Sequence, residues 1–474
     1  MFDHPLSRRS LLSRTAVGFG SLALASLFAE ESRADSNPNN SQTNPLAPKL
    51  PHFAARAKRV IFLFMKGGPS HLDTFDPKPL LTRDDGKPVP FAKPRVQFAA
   101  TSNLLKSPWE FKQYGQSGIP VSSLFPHVAR HVDDLCLIHS MHGTNPAHGG
   151  AVLKVHTGSD NFIRPSIGSW VSYGLGTENA NLPAYVTICP TLAHGGINNW
   201  SSAFLPAVYQ GTPLGNASVP SNKAQVKYIS NGQLSREMQR LQLDRLAAMN
   251  REHLTHSGPE PSLEARINSF ELAFRMQTEL PKVEDLSGES ASTLRLYGLD
   301  NPINANFGRM CLMARRFAEA GVRFIQVTHS DSNVQWDQHS DLKNGHEKNA
   351  LEVDLPIAGL LTDLKNRGML DDTLVWWGGE FGRTPVMEGK NGRDHNPEGF
   401  TMWLAGGGTQ GGLRYGTTDD YGYYAAENKV HIHDLHATIL HLLGLNHEKL
   451  TYRYAGRDFR LTDVEGEVVK GILA

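Results

Sequence analysis

Thr373-Leu-Val-Trp-Trp-Gly-Gly-Glu-Phe-Gly-Arg-Thr-Pro385, followed by Gly392-Arg-Asp-His-Asn-Pro397 and Phe400-Thr-Met-Trp-Leu-Ala-Gly-Gly407, is the stretch on which the reading of this chain turns. An apolar run of strand type ends in glycines and delivers Glu380 and Arg383. A polar loop then presents Asp394 and His395, and a second apolar run again ends in glycines. In an open α/β sheet, the loops at the carboxyl ends of the strands carry the ligand. Glu380 alone reads equally well as a surface acid. Joined by Asp394, His395 and a guanidinium within sixteen residues, it points to a site.

Working outward, Asp354 before Leu355-Pro356 predicts a helix start with proline near its first turn, running to about Arg367 and ending at Gly368. Val322 to Thr328 reads as a strand after a helix from Asn304 to Ala320 that Gly321 closes. The loop beyond that strand holds His329, Asp331, Trp336, Asp337 and His339. Arg59 to Met65 is an unbroken apolar run, as a strand buried on both faces requires. It enters a glycine turn and a loop crowded with Ser70, His71, Asp73 and Asp76. Residues 80–120 read as a surface excursion, Leu124 to Val132 as a helix, and Asp134 to His139 as a strand. His142 and His148 flank the next turn, before a helix from Ala151 to His156 that ends at Gly158.

Ala184 to Cys189 reads as a further strand, and residues 190–230 as an irregular wall. Leu234 to His253 and Leu263 to Leu280 predict two solvent-exposed helices, and His433 to Leu443 a final one. Strands alternating with helices over this length indicate an α/β fold with a mostly parallel central sheet sandwiched by helices.

The chain has 474 residues and a formal net charge of zero, which argues against the basic face that nucleic-acid binding needs. Cys136, Cys189 and Cys311 each lie in an apolar run and read as buried free thiols. Residues 1–34 read as a twin-arginine signal peptide: Ser7-Arg8-Arg9 precedes an apolar stretch too short for a confident membrane span, and Ser32-Arg33-Ala34 suits a signal peptidase. Residues 35–57 read as a linker and 58–474 as the α/β domain. The address expected is periplasmic or extracellular, with no stable membrane span after processing.

Acidic and histidine residues recur at the strand ends: His71 and Asp73, His142 and His148, Asp337 and His339, Glu380, Asp394 and His395. Carboxylate plus imidazole is a ligand set for zinc, manganese or iron. The Asp-x-His spacing lets Asp337 and His339 point the same way from an extended segment. Arg383 reads either as a fork for an anionic oxygen or as half of a structural salt bridge.

The segments Gly67 to Pro79, Gly379 to Pro385 and Gly392 to Pro397, with the twin-arginine leader, resemble the bacterial family described as domain of unknown function 1501. That family looks like a member of the alkaline phosphatase superfamily, with the sulfatases and the cofactor-independent phosphoglycerate mutases. The resemblance implies an alkaline-phosphatase-like core and two divalent ions, zinc or manganese before calcium or magnesium, at the carboxyl edge of the sheet. Asp337 and His339, Asp394 and His395, and Glu380, with Glu380-Phe381 standing in place of an Asp-His pair, fall at metal-loop positions of that superfamily, and His71 and Asp73 from the strand-end pattern join them as expected metal ligands. His148 falls near the superfamily's nucleophile position without a hydroxyl, and with Arg383 it is the expected catalytic group. His431 to Gly444 resembles a mainly structural helix of those enzymes. The implied function is hydrolysis of phosphate or sulfate esters, on a small molecule or a polysaccharide. The alternative is a binding or assembly protein that keeps the fold without turnover.

Overall fold

The computed structural model describes residues 44–91, 101–258, 260–330 and 335–474. The leader at 1–34, the linker as far as residue 43, and Asp331 lie outside the described residues. Residues 44–57, read from composition as linker, are docked onto the domain. Leu46 is buried, Lys49 N–H donates to the Leu175 carbonyl, and Arg56 and Ala57 N–H both donate to Leu442.

A nine-stranded sheet organises the chain. In spatial order it runs Leu413–Tyr415, Leu135–His142, Phe400–Ala405, Thr373–Gly378, Arg59–Met65, Phe324–His329, Tyr185–Ile188 and Thr212–Leu214. Val430–His431 pairs alongside Leu135–His142. Only Phe400–Ala405 runs against the others, antiparallel to both of its neighbours. The expected α/β class with a mostly parallel sheet is therefore the one present. Val60 through Met65 are all buried, which requires cover on both faces. Phe62 stacks on Trp376, and both Phe62 and Phe64 pack against His156 of the helix His148–Thr157. Helix Ala305–Glu319 packs on the sheet and on the long helix Leu342–Asn366.

The antiparallel strand has a local cause. Thr373–Gly378 runs into a hairpin, Gly382–Glu388 paired with Gly392–Asn396, and the chain then returns directly into Phe400–Ala405. A short return of this kind can only feed an antiparallel neighbour. Asp394 and His395 thus sit on a hairpin strand and not in the polar loop expected from sequence, with Arg383 opposite His395. The hairpin projects from the edge where the strands ending at Met65, His329 and Gly378 finish side by side, so three sequence-distant segments meet there.

Two local expectations are corrected. Leu124 to Val132 is not an α-helix; a 3-10 turn covers Val128–Asp134 instead. The helix expected to start at Asp354 begins at Leu342 and carries Pro356 inside it. Its early buried stripe includes His346 and Asn349, so the apolar period is not visible there. Asp354 instead accepts 2.8 Å hydrogen bonds from the His127 and Val128 N–H groups, and burial pushes its carboxyl up to about 6. The two long helices Arg236–Ser257 and Pro261–Glu284 form as expected. The three thiols are buried and free, and burial pushes Cys136 and Cys189 up to about 12. Among the described residues no helix is long and apolar enough to cross a membrane.

Candidate metal centre

Three imidazoles converge on one carboxylate at the carboxyl edge. His148 is the first residue of the helix that Gly158 terminates with φ 72°, so it stands where the sequence placed it. His148 Nε2 lies 3.1 Å from Asp337 Oδ2, while His339 Nε2 and His395 Nε2 lie 2.9 and 3.0 Å from Asp337 Oδ1. His339 Nε2 and His395 Nε2 are 3.0 Å apart. Donor atoms of His148, Asp337, His339 and His395 all fall within 4.8 Å of one another. The Asp-x-His spacing does bring its two side chains together.

Each ring is held from behind by a group that can only accept. His148 Nδ1 meets Glu380 Oε1 at 2.6 Å, His339 Nδ1 meets Glu388 Oε2 at 2.5 Å, and His395 Nδ1 meets the Pro146 carbonyl at 2.7 Å. Each Nδ1 therefore carries a proton, and the state of each Nε2 is set by what stands in front of it. His339 Nε2 and His395 Nε2, 3.0 Å apart, cannot both aim a proton at each other, so at least one turns a lone pair inward, and a cation among these nitrogens and the carboxylate satisfies all of them. Metal-bound histidines are oriented by carboxylate and carbonyl acceptors in this way. The donor set fits a divalent ion of the zinc or manganese type.

The electrostatics favour positive charge at this point. Burial works against the carboxylate of Asp337, but the Arg383 charge and the histidine hydrogen bonds outweigh it and hold its pKa far below the usual range. Burial opposes a charged His148, yet Asp337 and Glu380 raise its pKa. His339 is raised chiefly by its hydrogen bond to Asp337, whereas burial pushes His395 down to about 4.

Other expected site residues have different places. Glu380 is buried, and its two oxygens accept from Gly67 N–H at 3.0 and 3.1 Å. It orients His148 and does not join the four-residue set. Asp394 Oδ1 accepts from His395 N–H at 2.7 Å, and Asp394 groups with Glu388 and the far side of His339. Asp73 forms a fully buried two-point pair with Arg393, at 2.7 and 3.2 Å, and also accepts from Ser70 Oγ. His71 gives its Nε2 to the Gly422 carbonyl at 2.8 Å. Neither His71 nor Asp73 is brought into the cluster. Arg383 is wholly buried: it donates to the Gly67, Gly68, Trp336 and Arg393 carbonyls and to Asp337. Its guanidinium positions Asp337 and ties the first glycine turn to the hairpin, and it does not present a fork to a ligand.

The sequence reading missed Glu388 and His194. Glu388 sits opposite Gly392 in the hairpin register, where only strand pairing shows it can reach His339. Any side chain at Gly392 would meet the His339 carbonyl, 2.0 Å from where its Cβ would lie. His194, from the irregular wall, stacks flat on His148 with ring centres 5.0 Å apart. Nothing in its local sequence marks it.

The solved structures most like this chain include the lipoteichoic acid synthase LtaP from Listeria monocytogenes: TM-score 0.34, 13% identity, 90% of this chain and 78% of that one covered. The PsFucS1 sulfatase from Pseudoalteromonas sp. gives a TM-score of 0.35 and 12% identity, over 83% and 69% of the two chains. Alkaline phosphatase from the Antarctic bacterium TAB5 gives 0.35 and 10%, over 83% and 99%. Likenesses at these TM-scores support no statement about chemistry. No curated protein matches the chain. The family described as protein of unknown function (DUF1501) matches residues 57–473, and by that match the chain belongs to the DUF1501 family.

Proposed function

We propose that the protein is an exported, metal-dependent hydrolase of phosphate or sulfate esters. The observation that carries the reading is the convergence of three outward-braced imidazoles on Asp337. His148, His339, His395 and Asp337 would hold one zinc or manganese ion. The sequence suggested two, but Asp73 and Glu380 are committed to Arg393 and His148. A bound divalent ion supplies Lewis acidity toward an ester oxygen and makes water a stronger acid. The chain's own part is placement. Glu380, Glu388 and the Pro146 carbonyl fix the ring orientations, and Arg383 fixes Asp337. His339 is the most exposed of the four, with 32% of its side chain open, so a small-molecule or polysaccharide ester approaches from its side. The ester class rests on the resemblance of the glycine-rich motifs.

Elemental analysis of the purified protein and of Asp337→Asn tests the site: the variant loses one ion per chain. Aryl phosphate, phosphodiester and sulfate esters are then assayed with added zinc or manganese. If Asp337→Asn keeps the wild-type metal content, the site is wrong. Metal binding without turnover of any ester moves the protein to the second reading, a binding or assembly role. That reading is favoured by one feature, the absence of a hydroxyl where His148 starts its helix. Export by the twin-arginine route belongs to the same proposal. Replacing Arg8 and Arg9 by Lys is expected to leave the protein in the cytoplasm, and a normal periplasmic level would refute that route.

A further inference from the structure

A second histidine–carboxylate group lies outside the centre described above, where the last helix, Ile432–Leu442, begins. His431 is its N-cap, and Asp434 completes a capping box by accepting from His431 N–H at 2.8 Å. The other oxygen of Asp434 accepts from Glu467 N–H, also at 2.8 Å, which pins the C-terminal segment to this helix end. Glu465 is thereby set beside the two histidines: its Oε2 lies 2.7 Å from His433 Nδ1 and 3.6 Å from His431 Nδ1. Asp434 is thus structural, while the imidazoles of His431 and His433 both also face Glu465.

His433 is fixed on its far side by a backbone carbonyl. Its Nε2 faces the Gly158 carbonyl at 2.7 Å, and that oxygen only accepts, so Nε2 carries a proton. Its Nδ1 faces the Glu465 carboxylate at 2.7 Å, a contact that a proton or a cation can bridge. The donor atoms of His431, His433 and Glu465 all lie within 4.8 Å of one another. At His431, Nδ1 caps the helix by accepting from His433 N–H at a long 3.3 Å, and it lies 3.6 Å from Glu465 Oε2. His142 adds a third imidazole. It is the register partner of His431 across the sheet edge, and their rings are 5.2 Å apart.

We propose that His431, His433 and Glu465 bind a zinc ion that staples the C-terminal segment to the start of the last helix. Donors around a tetrahedral zinc with bonds of about 2.0 Å lie roughly 3.3 Å apart, and the spacings here bracket that value. Two imidazoles and one carboxylate suit zinc better than magnesium or calcium, which take oxygen ligands. The site shares no residue with the Asp337 centre and does not depend on that centre's function.

Glu465 is mostly exposed, so Glu465→Gln tests the site without threatening the fold. Zinc titration by calorimetry of chelator-stripped protein is expected to show one fewer tight equivalent in this variant, with affinity for that ion lowered at least tenfold. The zinc-induced rise in melting temperature should shrink, and the visible absorption of the cobalt-substituted protein should lose one component. The same equivalent should persist in Asp337→Asn and disappear in Asp337→Asn/Glu465→Gln. Unchanged stoichiometry and cobalt spectrum in Glu465→Gln would overturn the proposal. So would an NMR spectrum showing His433 as a protonated ring paired with Glu465 at saturating zinc.

Discussion

Asp73→Asn separates the two roles open to that residue. The sequence suggested a metal ligand, whereas the structure makes Asp73 the counter-charge of Arg393, with both side chains fully buried. Both carboxylate oxygens meet the guanidinium, at 2.7 and 3.2 Å. The amide keeps the volume but removes the charge, leaving the buried Arg393 guanidinium with neutral acceptors alone, the amide oxygen and the Thr384 and Leu105 carbonyls. Removing one partner of a buried ion pair costs about 3–5 kcal/mol. Unfolding entropy of about 2.1 cal/mol/K per residue, over residues 57–473, gives roughly 0.9 kcal/mol/K. The melting temperature should therefore fall by about 3–6 °C. Differential scanning calorimetry measures that fall, and elemental analysis of the folded fraction should find the wild-type number of ions. Asp73→Leu/Arg393→Met, which removes both charges, should recover most of the loss. A variant Asp73→Asn that melts like wild type but lacks an ion would make Asp73 a ligand and refute the reasoning.

Three further outcomes follow from the geometry. His148→Ala should lose the central ion and any ester hydrolysis while melting within a few degrees of wild type; His148→Ser restores a hydroxyl at the helix start, and wild-type metal content and activity in both variants would remove His148 from the site. Gly392→Ala should displace the His339 carbonyl, and with it the Asp337–His339 loop, which metal affinity measured by competition with a chelator would report. Acid lability should come from buried histidines held neutral: burial pushes His139 and His156 down to about 4, and His346 and His436 down to about 3. Their folded pKa values lie below the unfolded value of about 6.5, so the native state binds fewer protons. Their contribution is therefore complete above pH ~6.5 and is lost as pH falls toward 4 and then 3, by up to about 1.4 kcal/mol per pH unit for each group. Urea midpoints compared at pH 7.5, 6 and 5 should decline, and a flat series would contradict this.

The sequence by itself determined the sheet and the edge where the chemistry gathers. Arg59–Met65 and Thr373–Gly378 are buried on both faces, so they had to be continuous apolar runs, and glycines mark where each one ends. Asp337 and His339 were readable because two residues of extended chain carry their side chains to one side without help from the rest of the fold. The start of the helix at His148 could be counted back from its glycine stop.

What tertiary structure alone decided is which partner each charged side chain takes. Asp73 finds Arg393 across 320 residues, Arg383 spends its donors on carbonyls of the first glycine turn, and Glu380 braces His148. Those pairings follow from the hairpin register that sets Arg383 opposite His395 and from the close pass of the His339 loop over Gly392. A carboxylate near an imidazole in sequence reads the same whether it holds an ion or holds the ring that does. The difference of a few ångströms between those roles is set by long-range packing, which no local pattern encodes.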